Sequence, residues 1–302
     1  IIDTDFINQT AELGVILILF AAGLKVDIYK IKNSGKAALL VAFLGVIFPM
    51  AMGFALSNLF MPGLDSASVM RSIFIGAILT ATSVSISVET LKEMGKLDSE
   101  VGTAIVTAAL IDDVLSIVLL SGISGFTSGS SSAGFWSLIS GVVIKIFAFF
   151  VFAGIVGLAF HKVFQTYSEG LSQKRRFPII ALSFCFMMAF VSEHFFGVAD
   201  ITGAFIAGVV FFNTDQADYI YKRTDELSYL YFTPIFFASI GISSDLKSID
   251  SSMIYFGLAL LAIAIMSKVL GCGLGARLSG FSKSDSLRVG AGMSARSEVA
   301  LI

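Results

Sequence analysis

The chain has 302 residues, of which 56% are hydrophobic and 14% charged, with a formal net charge of −2 and a mean hydropathy of +0.90. Soluble globular domains carry about 25% charged residues, so the chain falls outside that class and, with no basic tail or patch, nucleic acid is excluded as a partner. Several apolar runs reach the roughly 20 residues that an α-helix needs to cross about 30 Å of hydrocarbon, so the expected fold class is an all-α membrane protein, a polytopic helical bundle.

Ile1 to Thr10 is polar and acidic, unlike a secretory signal, and leads into the first of ten expected spans, at 11–28. Lys30, Lys32 and Lys36 mark the connection to the second span, 37–61, which contains Pro49 as a kink and ends at Pro62. The third, 71–91, carries the hydroxyl-rich run from Thr80 to Ser87 and is followed by Lys92 and Lys96. The fourth, 101–123, has Asp112 and Asp113 near its middle. The uncharged stretch from Gly122 to Trp136 then includes a Gly/Ser tract, Ser128 to Gly134, read as a flexible loop, with Trp136 as an interfacial anchor. A fifth span covers 135–160, and Lys162, Lys174, Arg175 and Arg176 precede the sixth, 177–196, with Pro178 at its edge. The seventh is 200–213; after Lys222 and Arg223 comes the eighth, 228–244, with Pro234 as a second kink. The ninth, 253–276, contains Lys268, and Arg277, Lys283 and Arg288 lead to the last, 287–302.

Basic residues thus gather in alternate connections, while the others hold only Arg71 and Lys247 at span edges. By the positive-inside rule, the basic connections are cytoplasmic and Ile1 lies outside. Ile1 in place of Met, and an apolar run still continuing at Ile302, lead us to expect a single transmembrane domain, 1–302, truncated at both ends. Cys185 and Cys272 lie in apolar runs with no metal-ligand spacing and are read as packed thiols.

A charge at the bilayer centre costs about 2.5–3.5 kcal/mol on insertion scales, so each one away from a span edge needs a partner or a water-filled cavity. Asp112, Asp113, Lys268, Arg296 and Glu298 are such residues. Adjacent helix positions point about 100° apart, so the two aspartates meet different surroundings while their charges still interact. Two carboxylates this close resist joint ionisation, and proton and cation then compete for one site. A structural ion network locking the helices is the alternative, although buried pairs seldom outdo apolar packing. For Arg296 and Glu298 the alternative is a local pair beside a helix break.

The hydroxyls and β-branched residues of Thr80 to Ser87 compete for backbone hydrogen bonds and loosen the third span, and Gly290 to Glu298 interrupts the last in a parallel way. Paired interrupted helices point to a transporter's midplane site, although hydroxyl-rich runs also serve simply to pack helices.

At these residues the chain resembles the monovalent cation:proton antiporter superfamily, specifically its bacterial sodium/proton antiporters with a two-aspartate motif. The resemblance rests on Glu12-Leu13-Gly14-Val15 through Gly23-Leu24, the run Thr80 to Gly95, Ile111-Asp112-Asp113-Val114, Gly203 to Gly208, Phe236 to Gly241 with Asp245-Leu246, and Arg288 to Ile302. It implies inverted repeats, two crossed and partly unwound helices in spans three and ten, and exchange of Na+ or Li+ for H+ by alternating access; two carboxylates and a lysine lead us to expect an electrogenic cycle. It further implies a core part at 37–123 and 253–302, an interface part that dimerises at 11–28 and 177–244, and a linking helix at 135–160.

On the same resemblance Asp113 binds the cation and exchanges protons, with Asp112, Thr82 and Ser83 near it. Asp112 pairs with Lys268 in the alternative state, and Arg296 and Glu298 support the crossing. The implied partners are monovalent cations, protons, the lipid bilayer of a bacterial inner membrane and a second copy of the chain. No cofactor is expected beyond the transported Na+ and H+, and no enzymatic activity. Ala295 and Ser297 stand where the family commonly has Pro and Gly, and Ser85 where it often has Gly, which weakens the expectation of a break in the last span.

Two other readings bear on these residues. A K+/H+ antiporter or potassium efflux system of the same superfamily fits most motifs, but the latter typically replaces the first aspartate, here Asp112. An intramembrane serine protease would use Ser124, in Gly122-Ile123-Ser124-Gly125, with His194 as base, and would leave Asp112, Asp113 and Lys268 unexplained. His161, beside Lys162, is read as an interfacial residue.

Overall fold

A computed structural model describes the backbone of residues 4–26, 28–63, 65–127, 132–168, 175–212, 214–243 and 251–296. Side chains are described in these segments except at 4–5, 28–33, 66–67, 117, 120–122, 124–127, 132–139, 167–168, 243 and 251–253. Glu298, Ser297 and Asp245-Leu246, and the side chains of Ser124 and Trp136, therefore lie outside the described residues.

The described chain is helical: α1 Thr4–Lys25, α2 Ile28–Phe60, α3 Ser66–Ile78, α4 Val84–Glu93, α5 Glu100–Thr127, α6 Ser132–Ser168, α7 Arg176–Phe196, α8 Asp200–Phe211, α9 Ala217–Leu227, a π-helical segment Ser228–Phe232, α10 Thr233–Ser243, α11 Ser251–Leu278 and α12 Lys283–Gly292. Among the described residues, five stretches are long and apolar enough to cross a bilayer: Phe6–Lys25, Ser34–Phe60, Ser140–Thr166, Arg176–Phe196 and Ile254–Leu278. Large apolar side chains such as Phe147, Ile155, Leu158 and Leu258 are exposed on them. In hydrocarbon such side chains are the ordinary outer surface, since lipid tails are as apolar as leucine.

Several elements differ from the sequence expectation. The first connection is not a loop: α2 takes in Lys30, Lys32 and Lys36 and runs for 33 residues, about 50 Å at 1.5 Å per residue. Apolar content marks only the hydrocarbon-spanning part of such a helix. The expected loop Ser128 to Gly134 is likewise shortened by α6, which begins at Ser132. The stretch expected to connect spans seven and eight is the amphipathic helix α9, with Ile220 and Thr224 buried one turn apart. It continues without a break through the π turn into α10, where Pro234 is the second residue. Proline has no N–H to donate and clashes with the preceding turn, and the wider π turn before Pro234 accommodates that clash.

Packing divides the chain into two compact units, Ile1–Tyr29 with Ile144–Ser244, and Lys30–Val143 with Asp245–Ile302. In the first, α8 packs on α1 and α7 through two glycines. A Cβ on Gly208 would meet the Phe20 carbonyl oxygen at 2.2 Å, and one on Gly203 would meet that of Met188 at 2.4 Å. Backbones approach this closely only where the side chain is absent. Around them Phe160 stacks on Phe184 with ring centroids 3.9 Å apart, and Phe164 meets Phe211 edge-on at 4.9 Å. His161, half-buried, donates from Nδ1 to the Val210 carbonyl at 2.7 Å, which ties α6 to α8.

In the second unit α2 is the common packing partner. Ser72 Oγ donates to Ser57 Oγ at 2.9 Å to join α3 to α2, and Gly271 and Gly275 of α11 lie against the α2 backbone near Leu44 and Val41. α4 and α12 both pack against α5. That arrangement holds the candidate site.

Candidate functional site

The third expected span is two half-helices. After Ile78, the Thr80 hydroxyl donates to the Ala77 carbonyl at 2.7 Å, and the chain then runs non-helically through Ala81, Thr82 and Ser83. Ser83 is the N-cap of α4, its hydroxyl accepting from the Ile86 N–H at 3.4 Å. Hydroxyl side chains substitute for backbone partners, which is why this run ends one helix and starts another.

α12 ends in the same way as α3. It ends at Gly292, the Ser294 hydroxyl donates to the Ala291 carbonyl at 2.7 Å, and residues 294–296 are non-helical. The helix therefore ends here although Ala295 stands where the resemblance called for proline. A hydroxyl closing the last turn does the work expected of the missing ring.

The two breaks are bonded to each other. The Ser83 N–H donates to the Ala295 carbonyl at 2.9 Å, and Ser87 Oγ donates to the Gly292 carbonyl at 2.7 Å. Arg296 completes the crossing: its guanidinium donates to the carbonyls of Leu79 and Ala264, and to that of Ala81 at 3.2 Å. A helix C-terminus presents unsatisfied carbonyls and the negative end of its dipole, so a cation at the end of α3 supplies both the donors and the charge.

Across from the break, α5 is unbroken and carries the aspartates. Lys268 Nζ of α11 donates to both carboxylate oxygens of Asp112, each at 2.9 Å, and Thr82 Oγ1 donates to Asp112 Oδ2 at 2.7 Å. Asp112 and Lys268 are each 0% exposed. Asp113 is half-buried, and Ser83, at the crossing, is buried. The structure thus brings Asp112, Lys268, Thr82, Ser83 and Arg296 into one constellation, on elements that also carry Asp113.

Sequence reasoning missed one member of the site and one buried acid elsewhere in the unit. Gly45 of α2 faces the ion pair: a Cβ there would lie 2.6 Å from Cys272 Sγ, 3.6 Å from Lys268 Nζ and 3.8 Å from Asp112 Oδ1. Glu89, in α4, is a further buried acid, 3% exposed and held by Lys92 Nζ at 3.3 Å. The i, i+3 spacing of Glu89 and Lys92 was the available signal, masked by their position at a span edge.

A cavity of about 780 Å³ lies within the same unit, between α4, the start of α5 and α12. Ser87, Gly292 and Ser294 of the crossing line it, as do the exposed charges Lys96, Glu100 and Arg288. In the other unit Glu12, Glu193 and Asp200 bring carboxylate oxygens within 4.8 Å of one another, but two of the three side chains are exposed. The fully buried ion pair lies in the constellation at Asp112.

The family described as "Sodium/hydrogen exchanger, transmembrane" matches residues 1–302. The chain is 35% identical over 300 residues to the Na(+)/H(+)-K(+) antiporter GerN of Bacillus cereus, covering 99% of this chain and 74% of that protein. It is 33% identical over 296 residues to a Na(+)/H(+) antiporter of Enterococcus hirae, covering 98% and 75%. Among solved structures, the sodium proton antiporter MjNhaP1 from Methanocaldococcus jannaschii superposes with a TM-score of 0.59 at 20% identity, over 96% of this chain and 72% of that one, a likeness of fold. The protease reading of Ser124 and His194 falls with these matches. The chain belongs to the transmembrane sodium/hydrogen exchanger family of membrane transporters.

Proposed function

We propose that this protein exchanges Na+ or Li+ for H+ across a bacterial cytoplasmic membrane by alternating access, with Asp113 holding the cation or the proton in turn. The observation that carries this reading is the unequal setting of two adjacent carboxylates. Asp112 is sealed with Lys268 on both oxygens and with Thr82, whereas Asp113 is half-buried on another face of the same helix. A group that loads from water must be reachable, and a buried ion pair beside it lets the local charge rebalance when its load changes. Non-helical backbone at membrane depth is tolerated where it is buried in protein or lines a cavity; residues 80–83 are buried, and Ser294 and Ala295 line the cavity.

In this account the Asp112 unit is the ion-translocating core, built from 37–123 and 253–302. The other unit, with 11–28 and 177–244, is the comparatively fixed part and the contact surface of a homodimer. The cavity beside Ser87 and Gly292 is the cytoplasmic approach, since it opens beside connections rich in Lys and Arg. Exchange is electrogenic, with more than one proton per cation, and the transported ions are substrates; no resident cofactor takes part.

A second reading, with K+ as an additional or alternative substrate, is favoured by the printed name of the Bacillus cereus relative. Proteoliposomes holding the complete protein distinguish the two. Imposed Na+, Li+ and K+ gradients are applied in turn and internal pH is followed. The proposal expects Na+ and Li+ to drive proton movement strongly; flux driven by K+ alone contradicts it.

A further inference from the structure

Resting on the exchange reading, we infer that the hydroxyl of Ser116 is a ligand of the transported cation, completing the oxygen set of Asp113 from the next turn of α5. At about 100° per residue, Ser116 lies about 40° around the helix from Asp112 and about 60° from Asp113, between the two in azimuth. It is about 4.5 Å farther along the axis than Asp113, and helical side chains lean toward the N-terminus, so its hydroxyl leans back over the turn that bears both aspartates.

Ser116 is 8% exposed, and its Oγ is buried without a hydrogen-bond partner. That is not the habit of hydroxyls in this unit. Thr107 donates to the Thr103 carbonyl at 2.8 Å, Ser267 to that of Ala264 at 3.1 Å, and Ser87 to that of Ser83 at 3.0 Å. Thr103 and Ser286 also hold unpartnered hydroxyls, but Thr103 lies nine residues, or about 13 Å, before Asp112, and Ser286 is on another helix, α12, six residues before its end at Gly292.

A buried hydroxyl left unmatched costs free energy unless something meets it in another state. Beside two carboxylates, that partner is a hard cation, which takes oxygen ligands and draws on the lone pairs of a hydroxyl. A proton on a carboxylate needs no such ligand set. Ser116 therefore favours the cation over the proton in their competition for Asp113.

The test is the Na+ dependence of proton flux by the complete protein in proteoliposomes, at fixed pH, for the wild type, Ser116→Ala, Ser116→Cys and Ser116→Thr. Loss of one oxygen ligand is expected to raise the apparent KM for Na+ about fivefold in the Ala variant, with a smaller effect on maximal rate. The Cys variant keeps the volume but offers soft sulfur, so it should rise similarly, whereas Thr keeps the hydroxyl and should stay near the wild type. Na+ should also raise the Tm of the detergent-solubilised wild type more than that of Ser116→Cys. A wild-type KM in Ser116→Cys, with an undiminished Na+-induced Tm shift, overturns the assignment. A wild type without any cation-driven proton flux would instead overturn the exchange reading beneath it.

Discussion

Lys268 and Asp112 form a two-oxygen ion pair, 2.9 Å at each contact, with neither side chain reaching solvent. Removing one partner leaves an uncompensated buried charge, whereas removing both leaves none. Lys268→Met should therefore destabilise the protein by about 3–5 kcal/mol, and the double change Lys268→Met with Asp112→Asn should recover most of that loss. Tm in detergent across the double-mutant cycle measures it; simple additivity would show that the pair is not coupled.

Electrogenic exchange feels the membrane potential, at about 2.3 kcal/mol per charge per 100 mV. If Lys268 carries the compensating charge, Lys268→Ala protein that still exchanges should lose most of its response to an imposed potential. Valinomycin-clamped proteoliposomes give the measurement, and an unchanged voltage dependence removes the lysine from charge coupling.

Arg296 is bound to three carbonyls on two elements, Leu79, Ala81 and Ala264. Its planar fork can serve several acceptors at once, which an ammonium cannot reproduce. Arg296→Lys should lower exchange at least about tenfold, with Arg296→Gln lower still, since each lost charge-assisted bond is worth about 1.5–3 kcal/mol. Wild-type flux in Arg296→Gln would mean that the crossing does not depend on this cap.

Gly45 lies so near the thiol of Cys272 that a methyl group cannot be added without displacement; the Cβ would stand 2.6 Å from Sγ. Gly45→Ala should cost about 1–3 kcal/mol through overpacking. Cys272→Ala, which empties that space, should restore a substantial part in the double variant. The reading to compare is Tm alongside Na+-driven flux; a Gly45→Ala protein that needs no rescue would show that α2 has room to retreat.

The charged members of this site were legible in the sequence, because hydrocarbon makes a buried Asp112, Lys268 or Arg296 conspicuous. The break after Ile78 was legible as well, since the hydroxyls of Thr80 to Ser87 advertise competition with backbone bonding, and the end of α12 was legible in the interruption that begins at Gly290. The partners of Arg296 were not, because they are backbone carbonyls, and any residue has one. Gly45 was hidden for a related reason: its contribution is the absence of a side chain, which registers only when α11 is seen against it. α9 escaped because a hydropathy reading treats a polar stretch as a connection, although Ile220 and Thr224 at helical spacing were there to be found. Ser116, a small polar residue in an apolar run, gains meaning only from the missing hydrogen bond.

In the proposed mechanism Asp113, not Asp112, takes the cation and the proton alternately. Its most direct test is Na+-driven proton movement in proteoliposomes bearing the complete protein with Asp113→Asn, beside the wild type and at matched protein density. Strong flux is expected in the wild type and none above protein-free liposomes in Asp113→Asn. Exchange surviving in Asp113→Asn at the wild-type rate would contradict that mechanism.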